Sequence, residues 1–169
     1  MALIKLKEQR VVVLIDVQNL YHSAKNLYRS KVNFKEVLRK AISGRKLIRA
    51  FAYVVRTKTG EEKPFFEALT NLGIETRVRD LQEFYGGQKK ADWDVGIVID
   101  AIRTANSVDV IVLCSGDGDF ILLAEYLKNQ GKRVEAIAFG RTTSSKLKET
   151  VDEFFDIEKE SKKFLLAKE

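Results

Sequence analysis

Apolar and polar residues alternate along this chain in blocks sized for strands and helices. Val11 to Val17 is an apolar run broken only by Asp16, which predicts a strand buried on both faces, as in a parallel sheet. Asn19 starts a predicted helix through Leu20, Ala24 and Leu27, with Tyr21 and Tyr28 beside them. Asn33-Phe34-Lys35-Glu36 has the form of a capping box opening a second helix, with Phe34, Val37, Leu38 and Ala41 on one face and Gly44 as its stop. Lys46 to Val55 alternates and is rich in strand formers. Pro64, the one proline, suits the first turn of a helix reaching Leu72, with Gly73 closing it.

Ile74 to Val78 predicts a third strand, and the polar stretch Leu81 to Lys90, with Gly86-Gly87, a loop or hairpin. Asp92 to Ala105 predicts a helix with Val95, Val98, Ile99 and Ile102 as its apolar positions. A strand from Val108 to Cys114, a helix from Asp119 to Gln130 and a strand from Val134 to Phe139 follow. A short helix near Ser145 to Thr150, a brief strand at Phe154-Phe155 and a charged amphipathic helix over 158–169 complete the pattern. Strands alternating with helices predict an α/β three-layer sandwich around a mainly parallel sheet of five or six strands. No linker interrupts it, so residues 1–157 read as one domain, with the last helix packing on it or on a second subunit, as in a homodimer.

The chain has 169 residues, ordinary apolar content at 45% and somewhat high charge at 32%. Its apolar runs are strand-sized and the N-terminus lacks a signal-like apolar stretch, so a soluble, cytoplasmic protein is expected, away from membranes. Cys114, the single cysteine, permits neither an internal disulfide nor a cysteine zinc site and reads as a small buried hydrophobe. The formal charge of +6 points weakly to a polyanionic partner.

Against that basic background, Asp16, Asp94, Asp117 and Asp119 stand where parallel strands end or helices begin. Ligand crevices in open parallel sheets lie beyond the strand carboxyl ends, at the point where strand order reverses. Carboxylates gathered there repel unless a cation lies between them, and a hard divalent ion such as Mg²⁺ takes two or three of them. Such an ion serves phosphate chemistry. Asp117 or Asp119 alone reads equally as a helix cap, but the glycines of Ser115-Gly116-Asp117-Gly118-Asp119 permit close approach or positive φ, which favours a binding turn. Competing machinery is absent: His22 is the only histidine, Ser115 lacks a nucleophile elbow, and there is no Walker loop. Lys89, Lys90, Arg56 and Lys58, with Arg103, Arg141 and Lys146, are candidate phosphate contacts, and Trp93, Tyr21 and Tyr85 candidate stacking surfaces.

The strings Leu14-Ile15-Asp16-Val17-Gln18-Asn19-Leu20-Tyr21, Lys89-Lys90-Ala91-Asp92-Trp93-Asp94-Val95 with Asp100-Ala101, and Ser115-Gly116-Asp117-Gly118-Asp119-Phe120 resemble the NYN domain family, the LabA-like branch of the PIN-like nucleases. The likeness spans roughly residues 10 to 157. It implies a PIN-like fold and cleavage of RNA with Mg²⁺ or Mn²⁺, leaving 5′-phosphate and 3′-hydroxyl ends. By the same resemblance Asp16, Asp94 and Asp117 hold the metal, Asp119 stands beside them, and Asn19 orients a carboxylate or a water. Lys90-Ala91-Asp92-Trp93 replaces the family's Lys-Gly-Val-Asp pattern, so Asp92 and Asp94 both fit the second position; Val95 and Asp100-Ala101 favour Asp94. An RNA-binding module that keeps the acidic pocket without turnover, and a hydrolase of small phosphate esters, are the alternatives.

Overall fold

In the computed structural model, described for residues 5–83, 89–90 and 92–166, the predicted parallel sheet is present. Its strands are β1 (Arg10–Asp16), β2 (Lys46–Arg56), β3 (Glu75–Asp80), β6 (Val110–Cys114), β7 (Arg133–Ala138) and β8 (Glu153–Asp156), in the order β3-β2-β1-β6-β7-β8. Every neighbouring pair is parallel. Two short antiparallel strands, β4 (Gln82–Glu83) and β5 (Lys89–Lys90), form the predicted hairpin beside it. Gly86-Gly87 and Tyr85 lie outside the described residues.

Val11 to Ile15 are fully buried because β1 is central and covered on both faces. Val11, Val13 and Ile15 point into one core with α1 (Val17–Tyr28), α2 (Phe34–Ile42) and α3 (Lys63–Asn71). Val12 and Leu14 point into the other, with α4 (Asp94–Ala105), α5 (Ile121–Asn129) and α6 (Ser145–Thr150). Each such side chain contributes about 1.5–3 kcal/mol relative to exposure. Cys114 is fully buried, and burial pushes its thiol pKa up, out of reactive range. Among the described residues no helix is long and apolar enough to cross a membrane.

Four local expectations are corrected. Asn33 stands at the N-cap of α2 but its side chain makes no cap bond; its carbonyl accepts from the Glu36 and Val37 amides. The predicted helix from Asp119 splits into a 3₁₀ turn, Gly118–Phe120, followed by α5, because Asp117 caps the tighter turn. On α4 the buried positions are Ile97, Asp100, Ala101, Thr104 and Ala105, while Val95, Ile99 and Ile102 are exposed. The helix rolls onto Asp100, whose carboxylate accepts from the buried Tyr53 hydroxyl at 2.8 Å, and the more apolar stripe is left outside. The predicted C-terminal helix is a 3₁₀ turn, Ile157–Glu160, and a single-turn α7, Ser161–Phe164. Phe164 inserts fully into the first core against Phe155, and Leu165 then bridges to Val32, which ends the helix.

Candidate metal centre

Strand order reverses between β1 and β6, and the chain brings its acids to the carboxyl ends of those two strands. Asp16 ends β1 and caps α1, its Oδ1 accepting from the Asn19 amide at 3.3 Å. One strand away Ser115, fully buried, donates its hydroxyl to Asp16 Oδ2 at 2.9 Å and accepts from the Asp117 amide at 3.2 Å. Asp16 is only 9% exposed. Burial raises its pKa, the Ser115 and Asn19 hydrogen bonds oppose that, and the Asp117 and Asp92 charges add to it.

The turn after β6 is tied down from both sides. The Gly116 amide donates to Asn19 Oδ1 at 2.9 Å, and its carbonyl accepts from the Ser144 amide at 3.0 Å. Asp117 Oδ1 accepts from the Asp119 amide at 2.9 Å. Gly116 and Gly118 are not among the glycines with positive φ; Gly116 is required by close approach, and Gly118 closely meets only the Ser144 side chain, at 3.2 Å. A Cβ on Gly116 would sit 2.5 Å from Thr143 Oγ1 and 3.0 Å from Thr143 Cα. Gly116→Ala is therefore expected to displace the turn, costing about 1–3 kcal/mol in denaturant melts and weakening Mn²⁺ binding by calorimetry. Unchanged Mn²⁺ affinity would show that the turn does not position the acids.

Asp94 is the first residue of α4, and its amide donates to Asp92 Oδ1 at 3.2 Å. Several contacts hold this helix start. Trp93 donates its indole N–H to the Val54 carbonyl at 2.9 Å and packs on Tyr53, with the Arg79 guanidinium 4.4 Å from its ring. Gly96 leaves room for that ring, since a Cβ there would lie 2.5 Å from it. Asp100 fixes the middle of the helix through Tyr53 and through Arg77 at 3.1 Å. Asp100 therefore faces the core and not the acidic edge.

Carboxylate oxygens of Asp94, Asp117 and Asp119 lie within 4.8 Å of one another. Asp16 is not in that group of three; it adjoins it through Ser115 and the Asp117 amide. Burial first, then the Asp117 charge, a hydrogen bond with Asp119 and the charges of Asp92 and Asp16 push the Asp94 carboxyl up to about 7. The donor set fits a hard divalent cation. Ligand oxygens opposite one another on Mg²⁺ are about 4 Å apart, given bonds of 2.0–2.1 Å, so small side-chain rotations bring these acids to it.

The raised pKa has a signed consequence for the metal-free protein. Asp94 titrates near 7 when folded and near 3.9 unfolded, so ionisation opposes folding increasingly as pH rises from about 4 through 7. Asp94→Asn is expected to match wild type in thermal stability near pH 4 and to exceed it near pH 8 without metal. An equal difference at both pH values would contradict the crowding of charge at Asp94.

The predicted polymer-contact residues are more dispersed. Arg56 pairs with Asp80 at 2.8 Å on the surface, and Lys58 follows β2 in the next loop. Lys89 and Lys90 form β5, leading toward Asp92. Trp93 is half-buried as a wedge between β2 and α4. Tyr21 is 43% exposed, whereas Arg141 is bound to Glu158 and Arg103 lies 3.7 Å from Asp100. Lys146 is exposed on α6. Sequence reasoning missed Ser115 as the link between strands, Asn19 as the anchor of the Gly116 turn, and Asp100 as the helix anchor. An acid on the same helical face as Ile97, Ala101 and Thr104 was the available signal for Asp100.

The model of the NYN domain matches residues 10–158. Low amplitude and bright protein LabA of Synechococcus elongatus is 29% identical over 117 residues, covering 66% of this chain and 63% of that protein. This chain thus spans less than two thirds of that relative. The crystal structure of a protein of unknown function from Vibrio parahaemolyticus superposes with a TM-score of 0.86 at 32% identity, covering 97% of this chain and 100% of the other.

Proposed function

The chain belongs to the NYN domain family, and on that footing we propose that it is a ribonuclease dependent on Mg²⁺ or Mn²⁺. The observation that carries this reading is the convergence of Asp94, Asp117 and Asp119 oxygens within 4.8 Å at the sheet's reversal point. Those three acids would hold the ion, with Asp16 behind them. When bound, it would polarise a phosphodiester oxygen and stabilise the charge developing on the leaving oxygen.

The chain's own residues have separate tasks. Ser115 and Asn19 keep the Gly116 turn in place, and Asp117 and Asp119 on that turn would hold the ion together. Asp119, the most exposed of the three, would accept a hydrogen bond from the attacking water and orient it. Arg56, Lys58, Lys89 and Lys90 neutralise flanking phosphates without selecting bases, while Trp93 stiffens the start of α4. Products would carry 5′-phosphate and 3′-hydroxyl ends.

End-labelled single-stranded RNA tests the reading. Shortening in Mn²⁺ or Mg²⁺ that EDTA abolishes is expected. RNA bound with steep salt dependence yet left intact under either metal would favour a binding module that retains the pocket.

A further inference from the structure

Starting at the residue after Asp16, the chain lines a cavity of about 570 Å³ that the chemistry above does not use. It opens on the same edge of the sheet: its lining begins at Val17, the residue after Asp16, and includes Val55 and Thr57 at and beyond the end of β2, the neighbour of β1. Tyr21, Phe65 and Phe66 give it aromatic walls, and Gln18 adds a polar group. Glu62 also lines it. One carboxylate oxygen, Oε1, is fixed by the Thr57 amide at 3.2 Å and by the Thr57 hydroxyl. The other, Oε2, is buried and has no hydrogen-bond partner among the described residues. The Thr57 hydrogen bonds hold this carboxyl below its ordinary pKa, so it is ionised at neutral pH.

A buried, unpartnered carboxylate oxygen beside aromatic rings calls for a flat ligand that brings N–H donors. Nucleobases drawn out of a strand are read in this way, by stacking and by hydrogen bonds to their Watson–Crick edge. The four bases differ at that edge. Adenine and cytosine place an acceptor nitrogen next to their amino group, and uracil flanks its N–H with two carbonyls; each sets a lone pair against the carboxylate. Guanine alone offers adjacent donors, N1–H and N2–H₂.

We propose that this cavity is a guanine-binding subsite, in which Glu62 Oε2 accepts from the base edge and Tyr21, Phe65 and Phe66 provide its apolar walls. It deepens the ribonuclease reading, on which it rests, by giving the enzyme a preference for guanine next to the cleaved bond. Its position one residue beyond Asp16 connects the two sites along a single strand of RNA.

The test separates base recognition from catalysis. GMP, AMP, CMP and UMP are titrated in EDTA into the ¹⁵N-labelled full chain, and amide shifts are followed by NMR. The four share one phosphate and one ribose, so differences among them report the base. GMP is expected to move the Tyr21, Thr57 and Phe66 amides and to bind about tenfold or more tightly than the other three. Glu62→Gln keeps an oxygen for Thr57 but presents N–H at Oε2, and is expected to remove that preference. The inference is overturned if GMP leaves those amides unmoved, if all four bind alike, or if Glu62→Gln binds GMP as wild type does. The wild-type comparison stands even if the variant fails to fold. GMP binding without RNA cleavage would refute the nuclease reading alone, and cleavage without GMP selectivity would refute the subsite alone.

Discussion

Asp94→Asn or Asp117→Asn is expected to lower metal-dependent RNA cleavage on the order of a thousandfold or more, because each removes several kcal/mol of metal-centred charge stabilisation. The asparagine is nearly isosteric. At position 117 its oxygen still accepts from the Asp119 amide, so the turn survives and the loss reports charge, not collapse. Asp16→Asn is expected to lose comparable activity by a second route. Its carboxamide would turn an N–H toward Ser115 Oγ, which now donates to Asp16 and accepts from the Asp117 amide, and the turn would reorganise. Glu160→Gln, on the exposed 3₁₀ turn after β8, serves as the control and should cleave as wild type. Gel assays in Mn²⁺ decide the matter. Full activity in Asp94→Asn and Asp117→Asn would remove these acids from the chemistry.

The largest expected loss of stability lies elsewhere, at Glu135 on β7. Its carboxylate is 4% exposed and receives both Arg45 nitrogens at 2.9 Å, with Arg133 at 2.7 Å. Burial by itself raises its pKa, but the hydrogen bonds from Arg45 and Arg133 outweigh it and leave the group below its ordinary value. Glu135→Leu would strand the Arg45 guanidinium, whose side chain is fully buried, while Arg133 keeps its ion pair with Glu153 at 2.8 Å. Breaking such a buried pair costs about 3–5 kcal/mol, or about 10 °C in melting temperature for a chain of this size. Because the folded pKa is depressed, this stabilisation is present above the unfolded value near 4.3 and is lost as pH falls through the folded one. The difference in Tm between wild type and variant should therefore shrink in acid. A difference that stays constant from pH 7 down to pH 3 would contradict the ion pair as its source.

These two sites differ in how visible they were before folding. Strands β1 and β6 were legible because burial on both faces leaves continuous apolar runs, and the reversal rule then predicted that Asp16 and Asp117 would meet. Asp94 was singled out by the family resemblance, since an acid in a first helical turn is weak evidence by itself. The Arg45–Glu135 pair joins residues 90 positions apart, and no local pattern marks such a contact. The same limit applies to Asp100 and Tyr53. On α4 hydrophobic periodicity misled: Val95, Ile99 and Ile102 form the more apolar stripe, yet the buried hydrogen bond from Tyr53 turns the helix so that Asp100 faces inward. The C-terminal segment failed for a related reason, since Phe164 docks in the core and the pairing of Leu165 with Val32 stops the helix after one turn.

Anomalous diffraction from Mn²⁺-soaked crystals at pH 8, where Asp94 is ionised, tests the central claim most directly. A peak bounded by carboxylate oxygens of Asp94, Asp117 and Asp119 is expected, lost in Asp117→Asn crystals. Bound Mn²⁺ found only elsewhere, with those three carboxylates resolved and bare of metal, would contradict it.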